Sequence, residues 1–136
     1  MNNDELHSRA AHGDALACIQ LAKRLLRGRG EARNYEQAVQ YLDTAARAGS
    51  ADALYQLAKC YLKGIGCMKD PSGGVSCLEQ AANLGHASAA LKLGACFETG
   101  SGAPASSELA AYWYRKAAAL GAADAAREAL SRLSRA

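Results

Sequence analysis

Apolar and polar positions along the chain follow one pattern, repeated with a step of 36 residues. Between Gly49 and Gly85 the apolar residues Ala53, Leu57 and Tyr61 share one helical stripe, and the small pair Ala81-Ala82 follows later. One step back stand Ala17, Leu21 and Leu25, then Ala45-Ala46; one step forward stand Ala89, Leu93 and Phe97, then Ala117-Ala118. The glycines keep the same register: Gly13, Gly49, Gly85 and Gly121; Gly28, Gly64 and Gly100; Gly30, Gly66 and Gly102. A fixed period of roughly 20–50 residues is the signature of a solenoid or array.

The spacing predicts two helices per step. The first of each pair, helix A, is expected over 14–27, 51–63 and 87–99; the second, helix B, over 35–48, 71–84 and 107–120. A half-helix over 4–12 precedes them, with Leu6 and Ala10 one step before Leu42 and Ala46. A last helix carries Ala125, Ala126, Ala129, Leu130 and Leu133 on one face and Arg127, Glu128, Arg132 and Arg135 on the other. That polar outer face is what keeps the end of an open stack soluble. The chain therefore divides into an N-terminal cap (1–12), repeats at 13–48, 49–84 and 85–120, and a capping helix (121–136), all one domain.

Helix starts are marked by Asp14, Asn34, Asp70-Pro71 and Ser106, whose side chains can accept the free N–H groups of a first turn. The run Gly28-Arg29-Gly30 is read as the stop of the first helix A. Gly73 and Gly74 in the first turn of the second helix B cost about 1 kcal/mol each relative to alanine. That start is expected to be the weakest, and Gly73→Ala to stabilise it. Gly74 aligns with Ala38 and Ala110, which points to close helix contact.

Composition narrows the function. Half of the 136 residues are apolar, aromatics are only 6%, and the net charge is +3. Such a chain suits thin, closely packed helices and falls short of a dedicated nucleic-acid binder. No run approaches membrane-spanning length. The first residues show no apolar segment of the signal-peptide kind, and five cysteines without a CxxC favour free thiols in a reducing compartment, so a cytoplasmic protein is expected. Of the cysteines, Cys67 lies in a loop and is expected to react most readily, while Cys77 replaces a core aromatic. Neither the three histidines nor the cysteines stand at metal-ligand spacing, the Gly-x-Gly triplets follow helices rather than strands, and no nucleophile–base constellation is visible. No cofactor, metal or catalysis is expected.

The third unit, with Ala87, Ala89, Leu93, Gly94, Phe97, Gly100, Gly102, Trp113, Lys116, Ala117, Ala118 and Gly121, resembles the Sel-one-like repeat, a relative of the tetratricopeptide repeat. The second unit departs at Cys77 and the first at Leu25, where the family favours aromatics, and the first also at Glu31 after its glycine pair. The resemblance implies an all-α, right-handed superhelical α/α solenoid whose concave wall is lined by A helices. It also implies a protein–protein adaptor or scaffold without chemistry of its own; bacterial members of the family include toxin-immunity and secretion-associated proteins, which would use the same surface.

Repetition separates core from surface: positions apolar in every copy are explained by packing, and positions on helix A that change between copies are not. By the tetratricopeptide layout the resemblance implies, the concave groove presents Leu16, Ile19, Lys23, Leu26, Arg27, Tyr55, Lys59, Leu62, Lys63 and Leu91. Apolar residues beside cations suit a peptide or protein partner with acidic and apolar side chains. Two readings stay open for Ile19, Tyr55 and Leu91, which either face the groove or wedge between neighbouring repeats. Lys23, Arg24, Arg27, Arg29 and Arg33 form a local basic run, read as cations at a helix C-terminus rather than a phosphate site. Trp113 and Tyr114 are expected in the core. Tyr112 is expected on the convex side, where it could mark a weak dimer contact; the chain is otherwise read as a monomer.

Overall fold

A computed structural model describes residues 2–27 and 34–135. Among these residues the chain is all helix: α1 Asn3–Ala11, α2 Ala15–Arg27, α3 Tyr35–Arg47, α4 Ala51–Lys63, α5 Pro71–Asn83, α6 Ala87–Thr99, α7 Ser107–Ala119 and α8 Ala123–Ser134. Each helix packs on the next in chain order, so α2/α3, α4/α5 and α6/α7 form the three A/B pairs, with α1 and α8 at the ends. The expected stop at Gly28-Arg29-Gly30, with Glu31, Arg29 and Arg33 of the basic run, lies outside the described residues.

Local chemistry sets the helix starts. Asn34, Asp70 and Ser106 cap the B helices, accepting from the N–H groups of Gln37, Gly73 and Leu109 at 3.0–3.1 Å. Asp14 and Ser50 cap α2 and α4 at 3.2 Å. The same position ahead of α6 is His86, whose Nδ1 accepts from Ala89 N–H at 3.1 Å. The turn after each complete A helix is copied bond for bond: Cys60 O accepts from Gly64 and Ile65 N–H, and Tyr61 O from Asp70 N–H. One repeat on, Cys96 O accepts from Gly100 and Ser101 N–H, and Phe97 O from Ser106 N–H. Gly66 and Gly102 in these turns have φ of 72° and 78°, and a Cβ there would land on the carbonyl oxygen of Tyr35 or Pro71. Only glycine satisfies both conditions.

Small residues let the helices close on one another. Ala38, Ala45, Ala53, Ala58, Ala81, Ala89, Ala110 and Ala117 are all fully buried. Between them sit Leu6, Leu21, Leu42, Leu78 and Leu93, also at 0% exposure, each contributing about 1.5–3 kcal/mol of burial. Gly74 is buried, and a Cβ on it would stand 2.8 Å from Leu62 Cγ, so the close contact inferred from its alignment is present. Gly94 is tighter still, because a Cβ would stand 2.6 Å from the Tyr114 ring.

Gly73 lies directly under its cap. Its N–H is the donor to the Asp70 cap, and a Cβ on it would stand 2.5 Å from Asp70 Oδ2. Alanine there needs the Asp70 carboxylate to turn slightly, as Gln37 and Leu109 carry a Cβ at the same place beneath intact caps, so part of the gain in helix propensity is offset. The start of α5 is a capped turn, with proline at its first position.

The C-terminal helix is latched by a polar triad. Tyr114 O–H donates to Glu98 Oε1 at 2.6 Å, and Arg132 of α8 donates to both Glu98 oxygens at 2.9 Å. The Arg132 hydrogen bond, then that of Tyr114, hold the Glu98 carboxyl down to about 2. Burial, then the bond to Glu98, push the Tyr114 hydroxyl up to about 12.

Two predictions follow from these contacts. Gly94→Ala should destabilise the protein by about 1–3 kcal/mol, because the Tyr114 ring is held from its far end and cannot yield cheaply. Urea unfolding of the variant measures it, and an unchanged midpoint would show that α6 and α7 can move apart. Glu98 is ionised in the fold below its usual value of 4.5. Its contribution is present above that pH and is lost as pH falls towards about 2. Wild type should therefore exceed Glu98→Gln in stability at neutral pH, and the two curves should converge across that acid window; a constant gap would show that the carboxylate charge is not what holds α8.

Candidate functional site

Residues of the A helices that the core does not use touch one another from repeat to repeat. Lys23 Nζ of α2 meets Asp52 Oδ2 of α4 at 3.1 Å, and Asp52 Oδ1 lies 3.7 Å from His86 Nε2. Because His86 Nδ1 accepts the Ala89 N–H, the proton of the neutral ring sits on Nε2, facing Asp52. His86 thus caps the helix that follows it and does not cover the carbonyls of the helix before. That role belongs to His12, whose Nδ1 donates to Ser8 O at 2.7 Å. Tyr55 stacks on the His86 ring with centroids 4.6 Å apart, and Lys59 Nζ stands 4.9 Å over the other end of this stack, on the Tyr55 ring.

The electrostatics of this ladder change along its length. Burial would raise the Asp52 carboxyl, but Lys23, Gln56 and His86 outweigh it, and its pKa is lowered. Burial lowers the Lys59 ammonium pKa, and the charges of Lys92 and Lys63 add to that. Among the described residues, no carboxylate stands within ion-pair distance of Lys59, Lys63 or Lys92.

A cavity of about 400 Å³ opens between the first two repeats, beside Leu26, Tyr35, Gln56, Lys59, Cys60, Lys63 and Ile65. A smaller one, about 250 Å³, occupies the corresponding place one repeat on, beside Leu62, Lys63, Lys92, Ala95, Cys96 and Thr99. Lys63 belongs to both.

The ten residues read as groove-lining separate into three kinds. Leu16 is exposed, as are Arg27 and Lys63. Leu26, Tyr55, Leu62 and Leu91 are half-buried against the core and keep one side accessible, and Lys59 is half-buried as well. Ile19, at 6% exposure, belongs to the core; it wedges inside the stack and offers the groove no surface, which corrects its inclusion. Of the cations expected in the groove, Lys23, Arg27, Lys59 and Lys63, the first is paired with Asp52. Lys92 takes its place in the cationic group. Its column, Gln20, Gln56 and Lys92, changes between copies, so the signal that marked the other positions was available for it too.

Cys67 is the least buried of the five cysteines, but its thiol is not open to solvent on every side. Its S–H points at Cys60 O and Ile65 O, 3.7 and 3.6 Å away, and burial, then Asp70, push the thiol pKa up. Cys18, Cys60, Cys77 and Cys96 are buried, and their pKa values are raised by burial as well. Trp113 and Tyr114 are buried as expected, and Tyr112 is half-exposed on α7. No helix among the described residues is long and apolar enough to cross a membrane. Among the same residues, no three His, Cys, Asp or Glu side chains gather closely enough to hold a metal ion.

The fold and its glycine-punctuated pairs define an α/α solenoid of the Sel1 type. The Sel1 repeat profile matches residues 15–50, 51–86 and 87–121, and the chain belongs to that family. The chain is similar to the crystal structure of a Sel1 repeat protein from Oxalobacter formigenes, with 31% identity and a TM-score of 0.82, over 90% of this chain and 50% of that one. It is also similar to c5321, a protective antigen of uropathogenic Escherichia coli with an SLR fold, at 30% identity and a TM-score of 0.83, over 87% of this chain and 25% of that one. Cysteine rich protein B of Helicobacter pylori shares the fold, at 24% identity and a TM-score of 0.70, over 89% of this chain and 92% of that one. The chain thus spans half the Oxalobacter protein and a quarter of the E. coli antigen. Among curated proteins, none matches the chain. Sel1 repeat proteins generally serve as non-enzymatic scaffolds for protein interaction.

The thiol environment yields a prediction. Because the thiolate is the nucleophile and Cys67 is held as the thiol, native protein at pH 8 should react with iodoacetamide several-fold more slowly than free cysteine. Cys67 should still be the first of the five to be modified, being the least buried. Peptide mapping over time checks this; modification of Cys67 at the free-thiol rate would contradict its local hydrogen bonding.

Proposed function

We propose that the chain is a non-enzymatic adaptor that holds a protein or peptide partner on its A-helix face, the concave groove of the superhelix. The observation that carries this reading is the face itself. Half-buried Tyr55, Leu62 and Leu91 and exposed Leu16 stand beside Lys59, Lys63 and Arg27, while Lys23–Asp52 and Tyr55–His86 contacts fix neighbouring repeats relative to each other. A face so braced is ordered before a partner arrives, which lowers the entropy lost on binding. Apolar anchors with a cationic surround suit a partner carrying acidic and apolar residues. Five cysteines, an odd number, favour a reducing compartment as the place of action.

The test compares two faces. Lys63 is exposed and contributes little to stability, and Lys59 adds its contact with the Tyr55 ring, so Lys59→Glu with Lys63→Glu should leave the protein folded and cost no more than about 2 kcal/mol in thermal unfolding. The same change should slow association with the natural partner, and the defect should shrink at high salt. Quantitative pull-down of that partner with the double variant and with Tyr112→Ala decides the matter. Loss of binding with Tyr112→Ala and retention with the lysine reversal would move recognition to the convex side.

A further inference from the structure

We infer that the two cavities between successive A helices are consecutive subsites for one extended peptide segment, in which acidic side chains meet Lys59, Lys63 and Lys92 and an apolar side chain enters the larger cavity. This rests on the A-helix-face reading and names the chemistry of the occupant.

Three observations converge on it. The first is charge without a partner. On the same face Lys23 is neutralised by Asp52, and Arg132 at the C-terminal end is neutralised by Glu98. Among the described residues, no carboxylate stands within ion-pair distance of Lys59, Lys63 or Lys92, although Lys59 is partly withdrawn from water over the Tyr55 ring. Cations gathered at the edge of low-dielectric walls attract an anion more strongly than they would in open solvent.

The second is the mixed lining. The larger cavity, about 400 Å³, offers the apolar walls of Leu26, Tyr35 and Ile65 next to Gln56 and the two lysines. A polyanion such as a nucleic-acid strand has no use for those walls. A phosphate site would also draw on backbone N–H groups at the rim. Those of Gly64 and Ile65 are already committed to Cys60 O at 2.8 and 2.9 Å. Lysine heads and one amide remain, a set that meets carboxylates held on a chain that also carries apolar groups.

The third is repetition. Lys63 lies between the two cavities and serves both. Neighbouring helix layers lie roughly 10 Å apart, and an extended chain advances about 3.3 Å per residue. A segment of about six to eight residues therefore spans both subsites.

The experiment uses fluorescein-labelled octapeptides and the full chain in anisotropy titrations. The main probe alternates glutamate and leucine. Controls alternate glutamate with serine and lysine with leucine, and an eight-nucleotide oligothymidylate supplies charge without apolar side chains. The glutamate–leucine probe should bind, the glutamate–serine peptide several-fold more weakly, and the lysine–leucine peptide not at all. Lys59→Gln with Lys63→Gln should weaken the main probe about fivefold or more, taking each exposed pair at the upper end of its usual range. Lys92→Gln should weaken it less, and Arg115→Gln on α7 should leave it unchanged.

Failure of the glutamate–leucine probe to bind, or binding indifferent to the lysines, overturns the inference. So does tighter binding of oligothymidylate that is lost with the same lysines, since that marks a general polyanion site. Cross-links from the natural partner to Leu16 and Arg27, obtained despite such a result, would leave the A-helix-face reading standing and remove only the subsites. Cross-links confined to the convex side would end both.

Discussion

Everything in this molecule depends on how closely the two helices of each pair approach. The Ala58 carbonyl oxygen lies 3.2 Å from where a Cβ on Gly74 would be, and Gly94 lets the Tyr114 ring lie against its backbone. Helices of 13 residues are too short to be stable alone, and a single pair cannot bury both of its apolar faces. Stacking solves this only if the layers are thin, which requires alanine or glycine where helices cross. The fully buried alanines are thus the condition under which the larger residues Leu21, Leu42, Leu78 and Leu93 can reach across one continuous core.

Helix α8 shows the same constraint from the other side. In the column of Ala22, Ala58 and Gly94, the last helix places Leu130, which packs with Leu133 against the small cluster of Ala110, Tyr114 and Ala129. A bulky residue thus occupies the column that stays small where α2, α4 and α6 meet their own B helices. The Glu98–Arg132 pair then ties α8 back to α6. Leucine and arginine together give α8 an apolar side towards the stack and a charged contact with α6.

Periodicity made the fold legible almost residue by residue. Helices α4 and α6 begin and end where the 36-residue register places them, and the capping columns Asn34, Asp70 and Ser106 act as their side chains suggest. What the register could not show are contacts between different columns. Aligning equals with equals sets Lys23 over Lys59, whereas in space Lys23 meets Asp52, 29 positions away. Tyr55 meets His86, and Glu98 gathers Tyr114 and Arg132, each from another column. For the same reason Cys67 looked open in a loop, although its thiol turns back onto the Cys60 carbonyl. His86 stands in the capping column of Asp14 and Ser50, so the register marks it as a cap although histidine is an uncommon one.

Divergence among the repeats is what turns a uniform stack into a surface with a centre. At the larger cavity the register places Gln56, Lys59 and Lys63; one step on, the same positions are Lys92, Ala95 and Thr99. The cationic residues therefore do not run down the A-helix face as a stripe but gather around Lys63, where the two cavities meet. Carboxylates stand to either side, Asp52 with Lys23 and Glu98 with Arg132, and confine the positive field to that middle. Since exposed charges more than about 8–10 Å apart are screened at physiological salt, the field at Lys63 is set by this local group and not by the net charge of the chain. The core could have been built from identical repeats; a located field could not, because it requires each copy to place its charges differently.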